Sequence, residues 1–468
     1  MKALVLLSSL GVIALLAEIF SFKKLMYPLV LLGLITTFIL NLSDWDTNIT
    51  YYNMMRYDNY AVAFTSVILV IAFLWFLMSE SFFKASENLT DHFALILFAL
   101  TGTVIMVSYT NMTMLFLGIE ILSISMYILA GSNKSDLASN ESAFKYLIMG
   151  AFATGFLLFG IALIYGATGS FDLTEIKVFI ASHQGNVPPI FYAGVLMMLV
   201  GLSFKVSAAP FHFWTPDVYQ GAPTVITAFM ATIVKTAAFA AFLRLFSTTF
   251  ANVSDTYVNI IWIMTAMTLM IGNISAVLQT STKRMLAYSS VAHAGYMLLA
   301  LLAGNSYSNS AVLFYTTAYS IGSIGTFCIL NIVTHSKGNP ARTTDGIQSG
   351  GDTVDSFNGL GKTNPLLAFV MTIALLSLAG IPPTAGFFAK YYIFTAAFQS
   401  GYAGLVLIAI VASLIGVYYY FRIIIAMYFK ESSDEVVVVQ NNHQLLLILV
   451  AVAIIALGIF PDFIIRLL

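Results

Sequence analysis

Four ionisable residues lie inside long apolar stretches of this chain: Glu120, Lys205, Lys235 and Lys390. A charged side chain at the centre of a bilayer costs about 2.5–3.5 kcal/mol or more, so such residues usually pair with each other or face water. Desolvation disfavours the charged form of a carboxyl or an amine, and a nearby opposite charge favours it. Because a buried carboxyl and several buried amines are the groups that a proton relay needs, we predict that these four residues carry one.

Glu120 and Lys205 are predicted to interact, because both lie deep in their apolar stretches. Close charges couple strongly where the dielectric is low. The pair could act as a switch, or it could be a static ion pair that only fixes helix packing. Pro210 interrupts the stretch just after Lys205, and this position beside a helix break favours the switch.

Lys235 has no neighbour in the sequence that would neutralise it. A buried lysine can release its proton near neutral pH, so a charge that moves nearby can load or unload it. Lys390 could instead snorkel to the membrane interface past Tyr391 and Tyr392. The apolar sequence on both sides favours burial, and we expect Lys390 to be the terminal proton donor or acceptor.

Two histidines are weaker candidates for the relay. His293 could bridge Lys235 and Lys390 through water, or it could be a hydrogen-bonded packing residue. His212 follows Lys205 by seven positions, which would place both on one face of an unbroken helix, but a proline intervenes. Neither histidine has further ligand residues around it, so no metal site is predicted.

Three further charged residues are predicted to have structural roles rather than roles in proton transfer. Lys283 and Arg284 are interpreted as a loop pair that the membrane topology accounts for. Asp217 follows Pro216 and is typical of a turn or a helix cap. These residues therefore stay outside the predicted relay.

The composition predicts a membrane protein. Of the 468 residues, 59% are hydrophobic and only 9% are charged, whereas a soluble domain has about 25% charged residues. The formal net charge of −1 indicates no nucleic-acid binding. The single cysteine, Cys328, excludes internal disulfides and Cys-ligated iron–sulfur clusters, so no cofactor is expected in this chain.

Long apolar stretches indicate how the chain crosses the membrane. The expected fold class is an all-α polytopic membrane protein with about 14 transmembrane helices, since about 20 apolar residues span a bilayer. The predicted spans are 3–20, 25–42, 61–79, 92–109, 111–131, 143–166, 189–213, 223–247, 256–279, 285–303, 309–334, 365–397, 402–430 and 444–464.

Two of these spans are predicted to be broken helices. Span 189–213 contains Pro210, and span 365–397, which is too long for one straight helix, contains Gly380 and two prolines. These are the seventh and the twelfth predicted spans, and this odd offset of five gives them opposite orientations, as in inverted-repeat transporters. A break could be a simple packing kink, but freed backbone groups inside a bilayer need water or polar neighbours. We therefore expect hydrated cavities near both breaks.

The two ends of the chain are predicted on the same side of the membrane. The loops after odd-numbered spans hold more Lys and Arg than the opposite loops, which places both termini outside the cytoplasm. The apolar start of the chain is superficially similar to a secretory leader. We expect it to be retained as the first helix, because Glu18 and Phe20 follow the apolar run without a small-residue cleavage site.

Several of these stretches resemble the antiporter-like membrane subunits of respiratory complex I, and the resemblance covers nearly the whole chain. It rests on Gly118-Ile-Glu120-Ile-Leu-Ser, Phe204-Lys205, Pro210-Phe-His212-Phe-Trp-Thr-Pro-Asp217-Val-Tyr-Gln-Gly-Ala-Pro223 and Lys283-Arg-Met-Leu-Ala-Tyr-Ser-Ser-Val-Ala-His293. The stretch that begins with Trp214 is similar to one branch of the family. The sister subunits usually show a Leu-Pro-Asp-Ala-His variant.

The resemblance implies a division of the chain and a role for each buried charge. Two inverted five-helix repeats, each with a broken helix, would correspond to 92–247 and 256–430. A three-helix segment, 1–91, would precede them, and a C-terminal helix, 431–468, would follow. The family pattern also implies that the four ionisable residues are a Glu–Lys pair, a central lysine and a terminal lysine, in chain order.

The function implied by the resemblance is proton translocation as a subunit of NADH–quinone oxidoreductase in a bacterial inner membrane. This chain would contain no redox centre, and NADH, FMN, iron–sulfur clusters and quinone would be bound by the rest of the complex. The implied partners are the other membrane subunits, both antiporter-like and quinone-site neighbours, together with the lipid bilayer.

Three other functions stay open. A subunit of a multisubunit cation/proton antiporter would share the fold and the buried lysines but would work without NADH or quinone. A non-transporting scaffold subunit of the same complex would use the buried charges only for assembly. A chloroplast or cyanobacterial relative would use plastoquinone and ferredoxin.

Overall fold

The computed structural model describes residues 1–85, 88–183, 186–336, 352–431 and 439–468. The elements that precede the first break are α1 (Lys2–Ile19), α2 (Lys23–Leu42), β1 (Ile49–Tyr51), β2 (Met55–Tyr57), α3 (Asn59–Ala85), α4 (Leu89–Ser108), α5 (Met112–Ala130), α6 (Leu137–Thr168), α7 (Leu173–Ser182) and α8 (Pro189–Val206). The two strands pair as a small antiparallel hairpin between α2 and α3.

The elements between the two breaks are α9 (Trp214–Gly221), α10 (Thr224–Phe229), α11 (Lys235–Arg244), α12 (Val258–Val277), α13 (Thr282–Ala303), α14 (Ser308–Ser336), α15 (Leu360–Thr363) and α16 (Pro365–Ala379). A π-helical segment, Met230–Val234, joins α10 to α11, and a second one, Leu245–Thr249, follows α11. The elements after the second break are α17 (Ala385–Gln399), α18 (Ala403–Phe429), α19 (Asn441–Ile459) and α20 (Asp462–Ile465).

The predicted fold class is confirmed. Thirteen helices in the described part of the chain are long and apolar enough to cross a membrane. The shorter helices α16 and α17, of 15 residues each, replace the predicted span 365–397. With that pair taken as one broken crossing, the number of crossings agrees with the prediction. The inverted-repeat relation and the domain division stay predictions.

Both predicted breaks are present, and the helices before them end in the same way. Ser207 caps α8 in the left-handed conformation, with φ of 62°, and Gly380 caps α16 with φ of 84°. A left-handed residue after the last turn is a common helix end, because it lets following N–H groups bond to the last carbonyls. The first break then runs to Phe213, whereas the second ends at Thr384.

The core of the bundle lies at three central crossings. In the span Thr224–Thr249 and in α14, every residue of the most apolar window is buried, and in α13 94% of that window is buried. In α1 and α2 the corresponding shares are only 33% and 28%. The two N-terminal helices therefore turn most of their apolar surface outward, while α10–α11, α13 and α14 are enclosed by protein.

Polar contacts from α3 and α4 fix the central span. The hydroxyls of Tyr60 and Tyr109 donate hydrogen bonds to the carbonyls of Ala240 and Ala241, both at 2.8 Å. At the end of α11, the Arg244 guanidinium forms two hydrogen bonds with Asp58, at 3.0 and 2.7 Å. A bidentate pair of this kind gives geometric specificity as well as energy, so it sets the position of the helix that begins with Lys235.

Side-chain caps fix where two helices of the site begin. Asn111 caps α5 by accepting a hydrogen bond from the N–H of Thr113 at 2.9 Å, and Ser281 caps α13 by accepting one from the N–H of Arg284 at 3.2 Å. Such caps satisfy N–H groups that the first helical turn leaves free. They thereby set the register of Glu120 on α5 and of Ser290 on α13.

Candidate functional site

Lys235 lies at the centre of the bundle, directly after the π-helical segment that joins α10 to α11. Its side chain is buried, with 1% exposure. The ammonium Nζ donates to both the carbonyl and the hydroxyl of Ser290 on α13, each at 2.6 Å. Single π-helical turns inside α-helices often mark functional positions. Lys235 is therefore held by two neutral oxygens of one residue.

Lys205 is buried in the last turn of α8, two residues before the left-handed cap. Its Nζ donates a hydrogen bond to the hydroxyl of Ser123 on α5 and lies 5.6 Å from the centre of the Tyr127 ring. A cation is favoured in the last turn of a helix by the backbone dipole, and over an aromatic face by the ring quadrupole. These neutral contacts stabilise the ammonium beside the break.

Among the described residues, no ion pair joins Glu120 to Lys205, its predicted partner. Its Oε1 atom is buried and has no hydrogen-bond partner among the described residues. Glu120 lies between Leu117 and Ile124 along α5, which are 43% and 52% exposed. Residues at these spacings share one side of a helix. Position 120 is thus on the side of α5 that faces out of the bundle, although one oxygen of its carboxyl group is buried.

Lys390 is buried on α17, with 6% exposure, and so does not snorkel to the interface. Its Nζ donates to the carbonyl of Ala379, the last residue of α16, and to the hydroxyl of Ser413, both at 2.7 Å. The ammonium also lies 4.9 Å from the centre of the Tyr296 ring. The lysine after the second break therefore satisfies a carbonyl that the break sets free.

Gly380 allows Lys390 this close approach. A Cβ atom at position 380 would lie 2.8 Å from Cδ of Lys390, and the positive φ of 84° is one that side chains rarely adopt. Only glycine combines this conformation with the space that the lysine stem needs. The glycine that the sequence marked as a helix break is thus also a contact residue of the site.

His293 on α13 is close enough to both Lys390 and Lys235 to feel their charges. Its Nδ1 is 2.7 Å from the Tyr315 hydroxyl, and its Nε2 is 3.2 Å from the Tyr420 hydroxyl. A small cavity, with room for about one water molecule, is lined by His293 and Lys390 among other residues. His293 is therefore a hydrogen-bonded core residue that also borders the space next to Lys390.

His212 lies inside the first break rather than on α8, which ends at Val206. The helix face that an unbroken helix would give to His212 and Lys205 therefore does not form. Its ring is buried, packs on Phe213 with 4.6 Å between ring centres, and its Nδ1 has no hydrogen-bond partner among the described residues. The proline that intervenes in the sequence explains the difference, because the helix cannot continue through it.

The interpretation of Lys283 and Arg284 as a loop pair is wrong. Both lie in the first turn of α13, and Lys283 is buried, with its Nζ donating to the carbonyl of Ala222. The spacing of seven residues between Lys283 and Ser290, continued by His293, is a helix-face pattern that could have indicated this placement.

Asp217 on α9 forms an ionic cluster outside the membrane-spanning helices. Its carboxylate accepts hydrogen bonds from Lys145 and Arg284, both at 2.8 Å. Burial alone would raise the pKa of Asp217, but the two hydrogen bonds and the positive charges of Lys145 and Arg284 together hold the pKa below its ordinary value. The cluster ties α9 to α6 and α13, which fixes the far side of the first break.

Within the described residues, no group of three or more His, Cys, Asp or Glu side chains could hold a metal ion. The polar centre of the bundle instead consists of lysine ammonium groups, hydroxyls and freed carbonyls. Among these groups the ammonium groups donate hydrogen bonds, the carbonyls accept them, and the hydroxyls do both.

Comparisons with known proteins show which protein family this chain is similar to. A family model described as "NADH:quinone oxidoreductase/Mrp antiporter, TM" matches residues 108–416, which include all four predicted relay residues. The chain is 46% identical over 420 residues to NADH-quinone oxidoreductase subunit N of Cytophaga hutchinsonii, covering 89% of this chain and 88% of that one. It is 42% identical over 471 residues to the protein of the same name in Flavobacterium psychrophilum, covering 100% of both.

A solved structure has the same fold. A chain of respiratory complex I from Thermus thermophilus superimposes with a TM-score of 0.83 and 31% sequence identity, covering 99% of this chain and 98% of that chain.

Proposed function

Since the chain belongs to the NADH:quinone oxidoreductase/Mrp antiporter family, within the subunit N group of NADH-quinone oxidoreductase, we propose that it translocates protons through Glu120, Lys205, Lys235 and Lys390. The energy would come from NADH oxidation and quinone reduction in other subunits. Those subunits would hold FMN, the iron–sulfur clusters and quinone, and this chain would lie in a bacterial inner membrane. Both chain termini would lie on the non-cytoplasmic side.

The contacts of Lys235 are the observation that carries the proposal. A carboxylate partner would favour the charged ammonium and keep the proton on it. Ser290 instead offers a neutral carbonyl and a hydroxyl, each 2.6 Å from Nζ. A hydroxyl can accept from an ammonium or donate to a neutral amine, so Lys235 keeps a partner after it has lost its proton.

The same chemistry recurs at the lysines on either side. Lys205 donates to the Ser123 hydroxyl, and Lys390 donates to the Ser413 hydroxyl and a backbone carbonyl. Positive charges repel strongly in a low dielectric. A proton that arrives on one lysine therefore favours release from the next, which gives a chain of alternating occupancies from Lys205 through Lys235 to Lys390.

Glu120 is the group that would receive the signal from a neighbouring subunit. Glu120 is on the outward side of α5, and one oxygen of its carboxyl group is buried without a partner among the described residues. A charge that moves in the next membrane subunit would draw the Glu120 carboxylate closer or let it move away. The changed position of this negative charge would then change the proton occupancy of Lys205. Other membrane subunits of the complex, antiporter-like or next to the quinone site, are the partners that fit this role.

Replacement of Lys235 tests the proposal. We expect Lys235→Met to assemble into the complex but to lower NADH-driven proton pumping tenfold or more, as when a proton-transfer group is removed. Pumping is measured in inverted membrane vesicles, and assembly by native-gel migration with an NADH-dehydrogenase stain. Lys362→Met, at an exposed position of the second half, is the matched control and should pump normally.

Three results would contradict the proposal. An assembled Lys235→Met complex with normal pumping would remove Lys235 from the relay. Normal pumping after neutralisation of each buried lysine in turn would favour a scaffold role. Sodium-dependent proton exchange in vesicles that lack NADH would favour a cation/proton antiporter.

A further inference from the structure

Lys283 is a buried ammonium that the four-residue relay does not use. It is the second residue of α13, is 8% exposed, and donates to the carbonyl of Ala222 between α9 and α10. No ion pair joins it to a carboxylate in the part of the chain that the structure describes. Lys283 is thus held by a neutral oxygen, as Lys235 and Lys390 are.

Acidic groups surround the start of α13 on the outer side of Lys283. The hydroxyl of Ser281 donates to the side chain of Asp352, and the N–H of Thr282 donates to the Asp352 carbonyl at 2.6 Å. Asp136, which caps α6, is the second carboxylate whose charge acts on Lys283. Negative groups at the entrance of a proton pathway attract cations, and they therefore raise the local concentration of protons.

On its inner side, Lys283 is connected to Lys235 along α13. Ser290, which holds Lys235, follows Lys283 by seven residues, so the two lie on one face of the helix, about 10 Å apart along its axis. Tyr219 of α9 is buried at 1% exposure, and its hydroxyl lies next to Ser290. Hydroxyl groups therefore occupy part of the interval between the two ammonium groups.

If Lys283 only held α13 against α9, it would repeat a contact that a neighbouring residue already makes. The neighbouring Arg284 joins α13 to α9 through hydrogen bonds from Nη1 to Asp217 at 2.8 Å and to Gln220 at 2.9 Å. A second tie through a desolvated ammonium costs free energy that a neutral donor would not. A role in proton transfer would account for a buried lysine at this position, whereas a second structural contact would not.

We propose that Lys283 is a further proton-carrying residue, which exchanges protons between the membrane surface at the start of α13 and Lys235. The inference rests on the proposed relay and adds to it the group nearest to one surface. The Lys283 ammonium passes a proton through the hydroxyls of Tyr219 and Ser290 and intervening water to the neutral amine of Lys235. The resulting Lys283 amine then takes up a proton from the side of Asp352.

Replacement of Lys283 by arginine separates the two roles. Arginine keeps the positive charge and can donate to Ala222, but it does not release its proton. We expect the Lys283→Arg complex to assemble and to oxidise NADH with proton pumping lowered tenfold or more. Arg284→Lys, one residue away, is the matched control and should pump at the normal rate once assembled.

Normal pumping by the assembled Lys283→Arg complex would overturn the inference and leave Lys283 as a structural tie. If that variant does not assemble, Tyr219→Phe decides, because it removes one hydroxyl from the interval and changes no charge. Pumping slowed several-fold supports the route, and an unchanged rate overturns it. Lys235→Met is measured in parallel: if it abolishes pumping while Lys283→Arg pumps normally, the relay stands and only this inference fails.

Discussion

The two helix breaks differ in where their buried lysine comes from. At the second break, the chain turns within 380–384, and Lys390 of the following helix reaches back to the carbonyl of Ala379. At the first break, Lys205 precedes the turn and donates to Ser123 of another helix. The second break therefore satisfies its own freed carbonyl, whereas the lysine of the first is directed away from the break.

The freed carbonyl on the far side of the first break has a distant partner. Ala222, at the end of α9, accepts a hydrogen bond from Lys283 on α13. Asp217 on the same short helix is held by cations from α6 and α13. The first break is thus controlled by charges on other helices, while the second is controlled by the space around its own lysine. Steric changes should matter most at the second break and charge changes at the first.

Gly380→Ala is expected to have the largest effect. The left-handed backbone costs about 1–2 kcal/mol for a residue with a side chain, and the new Cβ would lie 2.8 Å from Cδ of Lys390. Lys390 would have to move away from Ala379, so we expect both lower thermal stability of the complex and a loss of pumping. Stability is measured as the midpoint of thermal inactivation of NADH oxidation, and pumping in inverted vesicles.

The matched control is Gly166→Ala, because no atom lies within 4 Å of a Cβ at this helical glycine of α6. Alanine in an exposed helix is favoured over glycine by up to about 1 kcal/mol, so this variant should be as stable as the parent or slightly more so. Equal losses in the two variants would mean that the space around Lys390 is not what makes Gly380 necessary.

The sequence was sufficient to predict these breaks but not what fills them. Prolines, a glycine and the length of the apolar runs act locally, so Pro210 and Gly380 could be recognised as interruptions without knowledge of the packing. The partner of Glu120 depends on how α5 and α8 are rotated about their axes, which hydropathy does not determine. For that reason the burial of Lys205 could be predicted, while its contact with Ser123 could not.

Lys283 was misinterpreted for a related reason. Two adjacent cations at the start of an apolar stretch are typical of a loop that faces the cytoplasm. Only the packing of α13 against α9 shows that one of them, Lys283, turns inward to Ala222 while Arg284 turns to Asp217.

Asp217→Asn is expected to have an intermediate effect, confined to the first break. The ion pairs are partly exposed, so their loss should destabilise the complex by about 0.5–1 kcal/mol at neutral pH. Because the folded-state pKa of Asp217 lies below its ordinary value, this stabilisation is present above the ordinary value and is lost as the pH falls through the folded one. The stability difference between parent and variant should therefore stay constant near neutral pH and shrink once the pH falls below the ordinary carboxyl pKa.

Asp355→Asn is the control for that pH dependence. Asp355 pairs with Lys430 at 3.2 Å, but the two side chains are 73% and 50% exposed, so the change in stability at pH 7 should be smaller than for Asp217→Asn. If the stability of the Asp217→Asn complex falls with acidification as steeply as that of the parent, other carboxylates control this pH dependence.

Ser207→Gly is expected to have the smallest effect, although Ser207 is the counterpart of Gly380 at the first break. Glycine removes the strain of the left-handed serine, about 1 kcal/mol, but it also removes the hydroxyl that accepts a hydrogen bond from Thr215 at 2.8 Å. The loss of a buried hydrogen bond costs a similar amount, so the midpoint of thermal inactivation should hardly change. The double variant Ser207→Gly/Thr215→Val removes the orphaned hydroxyl and should be more stable than Ser207→Gly alone. Within the described residues, Ser207 bonds through its side chain to Thr215 and not to a lysine. A loss of pumping as large as that of Gly380→Ala would therefore mean that both breaks depend equally on their left-handed residue.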